Sequence, residues 1–131
     1  MKTNFEFIQE PNHQIIEIKF FDTIIDLHNA CSFNRLIFDL KKNEIVFEWR
    51  YYYTFKNDEW MEFKMLFKKV ETFKVEPWLV DIPFEQNTVL DEVMLNGNSS
   101  LWLFNGGLKI EITSKEIEFI EGRETSFAAS S

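Results

Sequence analysis

The stretch EIVFEWRYYYTF, residues 44–55, decides the fold class of this chain. Large apolar side chains occupy its alternate positions: Ile45, Phe47, Trp49, Tyr51, Tyr53 and Phe55. An alternation of period two places successive side chains on opposite faces of a strand. The stretch therefore predicts a strand with one face in a hydrophobic core, while the other face carries Glu48, Arg50 and Tyr52.

Two hairpins are predicted to flank this strand. On its N-terminal side, a four-residue loop of sequence KKNE pairs Phe38 with Phe47, so that apolar side chains meet across the hairpin. On its C-terminal side, a five-residue loop that ends at Trp60 sets Tyr53 opposite Phe63. This second register buries more apolar surface than a four-residue loop would, and it is therefore the favoured prediction.

One short helix is predicted near residues 88–96. Apolar residues recur there at helical spacing: Val89, Leu90, Val93 and Met94. Either Asn87 or Thr88 suits the N-cap of such a helix, and Gly97 suits the left-handed position just past its end.

The segment LWLFNGGLKIEI, residues 101–112, predicts a tight hairpin at NGG. Either two-residue turn within NGG places Leu101 and Leu103 on the same face as Ile110. Trp102 and Phe104 would then lie on the opposite face of this hairpin.

The whole pattern predicts an all-β, mainly antiparallel domain of about eight strands built from hairpins, plus the short helix. Sandwich and barrel both fit the pattern. The single domain is predicted to span residues 1–121, and residues 122–131 form a small, polar tail that is expected to fray. Residues 22–32 fit either a short helix or an irregular loop.

Charge and cysteine content limit the partners and the compartment. The net charge of −8 argues against nucleic acid, whose phosphates require a basic surface, and favours a basic protein partner. The single cysteine, Cys31, excludes an internal disulfide and fits a reducing compartment. The N-terminal residues lack a signal-peptide core, and no apolar run approaches the length of a membrane helix. These features predict a cytoplasmic protein without a membrane partner.

No catalytic or metal-binding motif is recognisable in the sequence. His28 and Cys31 lie three residues apart, but a zinc site needs three or four ligands and a nucleophilic cysteine needs an oriented base. The carboxylates of the predicted strands follow the solvent face of the alternation rather than the pairing of a glycosidase. The sequence therefore predicts a protein that is not an enzyme and holds neither a metal nor a cofactor.

The predicted contact residues are those on the second faces and at the loops. They are Glu48, Arg50, Tyr52, Trp60, Trp102 and Phe104. Aromatic side chains in such positions are either covered by another part of the domain or exposed as a contact patch. Arginine beside tyrosine favours the contact interpretation, because both are enriched at binding hot spots.

Two functions fit these observations. In size, charge and lack of catalytic motifs, the chain resembles the small acidic proteins that bacteria use to neutralise toxins. That resemblance implies a non-catalytic protein-binding module of the immunity type with a basic partner. The alternative is a β-barrel that encloses a small apolar ligand, which the aromatic content of 17% would suit.

Overall fold

The structure is a computed structural model, and it describes residues 1–12, 14–53, 59–77 and 87–122. The predicted all-β, antiparallel class is confirmed. The described residues form ten strands: β1 (Lys2–Thr3), β2 (Glu6–Gln9), β3 (Ile15–Phe20), β4 (Thr23–Asp26), β5 (Cys31–Asp39), β6 (Glu44–Tyr53), β7 (Glu59–Pro77), β8 (Leu90–Asn96), β9 (Ser99–Phe104) and β10 (Leu108–Glu121).

All ten strands belong to one sheet with the order β2-β3-β8-β9-β10-β7-β6-β5. Strand β4 pairs with β3, and β1 adds to β10 as the one parallel pair among the described strands. The sheet does not close, because β5 and β2 stand at its two ends and do not pair with each other. The fold is therefore a single curled, barrel-like sheet.

Two long strands carry the curvature. The first half of β7 pairs with β6 as far as Phe67, whereas its second half, Val70–Pro77, pairs only with β10 among the described strands. A register shift between Thr113 and Ser114 of β10 marks the bend. Such irregularities bend a strand and increase its twist, which lets one strand take part in two layers.

Aromatic rings fill the space that the curled sheet encloses. The ring centroid of Trp102 in β9 lies 5.1 Å from that of Phe47 in β6, although β10 and β7 separate those strands in the sheet. The ring centroids of Phe104 in β9 and Phe33 in β5 likewise lie 4.8 Å apart. The predicted inner face of β6 is confirmed, because Ile45, Phe47 and Trp49 are fully buried.

The predicted helix near residues 88–96 is wrong, because Leu90–Asn96 form the strand β8. Leu90 lies opposite Phe104 and Val93 lies opposite Trp102, with a bulge at Asp91 between them. The extra residue puts Leu90 and Val93, three apart, on the same buried face of a strand. A bulged strand thus has the spacing that indicates a helix in the sequence.

The register of the NGG hairpin also differs from the prediction. The loop contains three residues, Asn105 to Gly107, since Leu103 pairs with Lys109. A change of one residue in a loop turns every side chain of a strand to the other face. Trp102 therefore lies opposite Ile110 in the core, and the prediction that the leucines share that face is wrong.

The other two predicted hairpins have the right faces but shifted pairs. Phe38 lies opposite Ile45 rather than Phe47, because the loop begins at Leu40. Phe63 lies opposite Trp49 rather than Tyr53. Both shifts are even numbers of residues, so apolar side chains still meet apolar side chains.

The remaining predictions concern residues 22–32, the C-terminal tail and the absence of a membrane helix. Residues 22–32 contain β4 and a turn in which Asp26 Oδ1 accepts hydrogen bonds from the backbone N–H groups of His28 and Asn29. The predicted frayed tail lies outside the described residues from 123 onward. The described part of the chain contains no helix with the length and hydropathy that a membrane crossing requires.

Candidate functional site

Glu48 and Arg50 lie on the outer face of β6, where they belong to a charged ladder of Arg35, Glu48, Lys64, Arg50 and Glu62. Glu48 Oε1 accepts a hydrogen bond from Arg35 Nε at 2.6 Å, and its Oε2 lies 3.6 Å from Lys64 Nζ. Arg50 Nε lies 3.8 Å from Glu62 Oε1. These side chains face one another because the register places them directly opposite across β5, β6 and β7.

The hydrogen bond from Arg35 holds the pKa of the Glu48 carboxyl below its ordinary value, and the charges of Arg35 and Lys64 act in the same direction. Burial opposes this effect, since the side chain of Glu48 is only 14% exposed. The two predicted contact residues are thus already engaged with neighbours inside the sheet. Cross-strand ion pairs of this kind account for Glu48 and Arg50 without a partner.

Tyr52 and Trp60 lie directly opposite each other at the end of the β6–β7 hairpin. The register brings these two predicted contact residues together in the backbone. Their side chains lie outside the described part of the structure, so their role in binding stays a prediction.

Trp102 and Phe104 lie in the core rather than on the surface. Both side chains have no exposed area, and Trp102 Nε1 donates a hydrogen bond to the buried Ser100 Oγ at 2.9 Å. The interpretation that they are covered is therefore the one that the structure supports. They form no contact patch, because the three-residue NGG loop turns them inward.

A different surface lies between β5 and the second half of β7, beyond the point where β6 ends. There, β5 has no strand partner on its outer edge within the described chain, and the half-strand Val70–Pro77 has none on the side where β6 has ended. The ring centroids of Phe38 in β5 and Phe73 in β7 lie 5.4 Å apart across this gap. An unpaired strand edge carries a row of free N–H and C=O groups, which can pair with another chain.

A cleft of about 310 Å³ lies along the gap and is called here the seam cleft. It is lined mainly by apolar groups: Phe33, Asn34, Arg35, Leu36, Val75, Asn87, Thr88, Leu108 and Ile110. Phe33 and Leu36 share this face, although they are three residues apart, because Asn34 is the extra residue of a bulge in β5. The bulge therefore sets which β5 side chains line the cleft.

The far wall of the seam cleft is held by one side chain. Asn87 Oδ1 accepts a hydrogen bond from the Leu108 N–H at 2.9 Å, and Asn87 packs directly against Gly106. A Cβ at Gly106 would lie 2.3 Å from Asn87 Oδ1, so only glycine allows this approach. The NGG loop thus positions the wall as well as the register of β9.

Apolar side chains remain accessible beside the seam cleft. Val75 is 47% exposed, Phe38 39% and Ile37 38%, while Leu40 in the following turn is 81% exposed. Exposed apolar side chains at an unpaired strand edge favour contact with another chain. Phe21, in the β3–β4 turn, is also exposed but stands apart from this patch.

Sequence reasoning missed the seam cleft. The run Leu36-Ile37-Phe38 is an apolar signal for a strand, but it does not reveal that the strand stands at an edge. The approach of Val75 depends on the bend in β7 and β10, which brings distant residues together. The bend is marked by the register shift between those two strands, and the sequence alone does not show that shift.

The nucleophilic and metal-ligating residue types do not converge on a site within the described chain. Burial, and to a smaller extent the charge of Asp26, raises the pKa of the Cys31 thiol well above its ordinary value. His28 Nδ1 lies 2.5 Å from the Leu90 backbone oxygen. Among the described residues, no three His, Cys, Asp or Glu side chains gather as metal ligands would.

Comparisons of the chain with protein-family models, with curated proteins and with solved structures find no match in any of the three. The features of the molecule that bear on its function are therefore the seam cleft, the exposed strand edges beside it and the charge of the chain.

Proposed function

We propose that the protein is a non-catalytic binding module that takes up an extended segment of a basic protein partner along the seam cleft. The proposal rests on two strand edges, in β5 and in Val70–Pro77, on either side of an apolar cleft. Neither edge has a strand partner among the described residues. Backbone groups would supply hydrogen bonds to the added strand, and the cleft would receive its alternate side chains.

The end of the sheet at β5 suits this role better than the other end. Strand β5 has nine residues, and its stretch Leu36–Phe38 is entirely apolar. Strand β2 has only four residues and begins with an exposed glutamate, Glu6. Short and charged edges resist pairing with other chains, whereas a long apolar edge favours it.

The charge of the protein supports a basic partner. A net charge of −8 accelerates encounter with a positively charged protein and disfavours acidic competitors. A segment with apolar residues toward the cleft and lysine or arginine toward solvent would match both features. Neutralisation of a basic toxin is one function of this kind, and it is the role that we propose for the protein.

Capture experiments with two matched variants test the proposal. Val75→Lys places a charge in the seam cleft, whereas Met94→Lys places the same charge on β8 at a residue that is 52% exposed. We expect a partner from the native host to be retained at low salt, weakened at high salt and lost with Val75→Lys only. Equal retention by both variants, or binding that ignores salt, would overturn the proposal.

A small apolar ligand is the second candidate, and the volume of the seam cleft favours it. Ligand pockets usually measure about 300–1,000 Å³. The cleft, at about 310 Å³, reaches this range, whereas the cavity among Phe20, Tyr51 and Phe63 measures only about 130 Å³. Native mass spectrometry of the purified protein would reveal a retained ligand. Displacement of a fluorescent fatty acid that is lost in Val75→Lys would favour this function over a peptide partner.

A further inference from the structure

A second surface feature lies at the bend of β7, away from the seam cleft. A shallow depression of about 490 Å³, called here the lysine depression, gathers four ammonium groups and two carboxylates: Lys42, Lys68, Lys69, Lys115, Glu44 and Glu71. It is locally cationic on a chain whose net charge is −8. Its position, between the β5–β6 turn and the bend, is fixed by backbone contacts.

The contacts that build the lysine depression are specific. Asn43 Nδ2 donates a hydrogen bond to the Val70 oxygen at 2.7 Å, and the Val70 N–H donates to the Asn43 oxygen at 3.3 Å. Asn43 has a φ of 54° and Lys69 a φ of 55°, which are uncommon values for residues other than glycine. Strained backbone of this kind persists where the surrounding structure holds it, and functional sites are enriched in it.

Three of the four lysines in the depression have no ion-pair partner among the described residues, whereas most of the other described cations have one. Six of the described lysines and arginines form ion pairs: Arg35, Arg50, Lys64, Lys68, Lys74 and Lys109. Six others have no carboxylate within 4.0 Å in the described chain: Lys2, Lys19, Lys41, Lys42, Lys69 and Lys115. Three of these six line the one depression.

The backbone places Lys69 and Lys115 close to each other at the bend. They lie on neighbouring strands, between the pairs Lys68–Glu116 and Val70–Ser114. Both are exposed. A bound anion could therefore contact both ammonium groups at once. The ammonium group of lysine is a common binder of phosphate.

We propose that the lysine depression binds a ligand that carries two or three phosphate groups close together. Lys42, Lys69 and Lys115 would surround the phosphates, while Lys68 remains held by Glu116 at 3.7 Å and by Glu118 at 3.0 Å. An open depression of this size leaves room for a nucleoside or an inositol ring attached to the phosphates. The site is separate from the seam cleft and does not depend on the function proposed for it.

Amide chemical shifts of the full chain, titrated with pyrophosphate at constant ionic strength, test this site. We expect saturable shifts confined to the β5–β6 turn, the bend at Lys69 and the region of Lys115. The variant Lys69→Gln/Lys115→Gln should weaken pyrophosphate binding at least about tenfold, because it removes two hydrogen-bonding contacts between charged groups. The control Lys19→Gln/Lys74→Gln removes the same charge outside the depression and should weaken binding less than about twofold.

Further probes distinguish the sources of the phosphate group. Tighter binding of ATP than of pyrophosphate would identify a nucleotide, and binding to vesicles that contain a bisphosphorylated inositol lipid would identify a lipid headgroup. Either result supports the site if the Lys69/Lys115 variant abolishes it. Unsaturable shifts, or equal weakening by the two double variants, would show that the lysines attract anions only diffusely and would overturn the proposal.

Discussion

Ser100 and Ser114 are both fully buried, and they differ in hydrogen bonding. Ser100 Oγ accepts from Trp102 Nε1 at 2.9 Å and lies 3.4 Å from the Ile112 oxygen, whereas Ser114 Oγ has no partner in the described structure. Ser100→Ala should therefore lower the free energy of unfolding by about 1–3 kcal/mol, because it leaves the indole N–H unpaired. Ser114→Ala removes an unpaired hydroxyl and should change it by less than about 0.5 kcal/mol.

Urea unfolding of the two serine variants measures the difference directly. Because the substitutions are identical and both sites are fully buried, the contrast isolates the hydrogen bond to Trp102. Equal destabilisation by both variants would contradict the inward position of Trp102 that the register of β9 imposes.

Two glutamates should respond to pH in opposite directions. Arg35 lowers the pKa of Glu48 below its ordinary 4.5, so the carboxylate stabilises the fold at neutral pH and this contribution is lost as the pH falls through the lowered pKa. A hydrogen bond with Glu10, followed by burial and the charges of Glu10 and Asp26, raises the pKa of Glu17. The ionised Glu17 therefore destabilises the fold above that pKa, and protonation removes the penalty.

The glutamine variants test these signs. At about pH 7, Glu48→Gln should be less stable than the unmodified protein and Glu17→Gln more stable. Both differences should shrink as the pH is lowered, because protonation removes the charge that distinguishes each carboxyl from glutamine. A pH-independent difference for either variant would mean that packing rather than charge sets its effect.

At the scale of the elements, glycines are required in two hairpins for different structural reasons. Gly97 has a φ of +60° with open space around it, whereas a side chain at Gly106 would meet the Asn87 side chain and backbone within 2.6 Å. Gly97→Asn should cost less than about 1 kcal/mol, since asparagine tolerates positive φ. Gly106→Asn should cost about 1–3 kcal/mol or more through overpacking.

Thermal unfolding of the two glycine variants would rank these costs. The Gly106 variant should also loosen the seam cleft, because Asn87 must move and its hydrogen bond with Leu108 is lost. Similar melting temperatures for the two variants would argue against the three-residue NGG loop.

The same elements show what the sequence could predict. The alternation of period two in residues 44–55 is sufficient to predict the inner face of β6, since every second side chain there is large and apolar. Bulges at Asn34 and Asp91 could not be predicted, because an extra residue in a strand has no compositional signature. Each bulge converts a spacing of two into a spacing of three, which is why β8 was predicted as a helix.

The candidate site was less predictable than the fold. Glu48 and Arg50 have an outward position, as predicted, but the sequence does not reveal that Arg35, Lys64 and Glu62 face them. The seam cleft joins Leu36 with Val75 through a bend in two long strands. Contacts between residues so far apart in sequence depend on exact register, and a loop length misjudged by one residue is enough to lose them.

For the molecule as a whole, we propose that the gap between β5 and the second half of β7 receives a strand from a basic partner. The sheet ends in an apolar edge, and the chain carries a net charge of −8. Backbone pairing would supply affinity, the cleft would select apolar side chains, and the charge would accelerate encounter. The association rate should therefore fall as salt is added, while the rate of dissociation changes less.

Hydrogen exchange of the full chain in the presence of a synthetic peptide tests this claim most directly. The peptide alternates valine and lysine over about ten residues, and a control peptide has proline at two of the valine positions, so that it cannot pair as a strand. We predict at least about tenfold slower exchange of backbone amides in Cys31–Asp39 and Val70–Pro77 with the first peptide only, and loss of that protection in Val75→Lys. No protection, protection of β2 instead, or equal protection by the proline peptide would contradict the account.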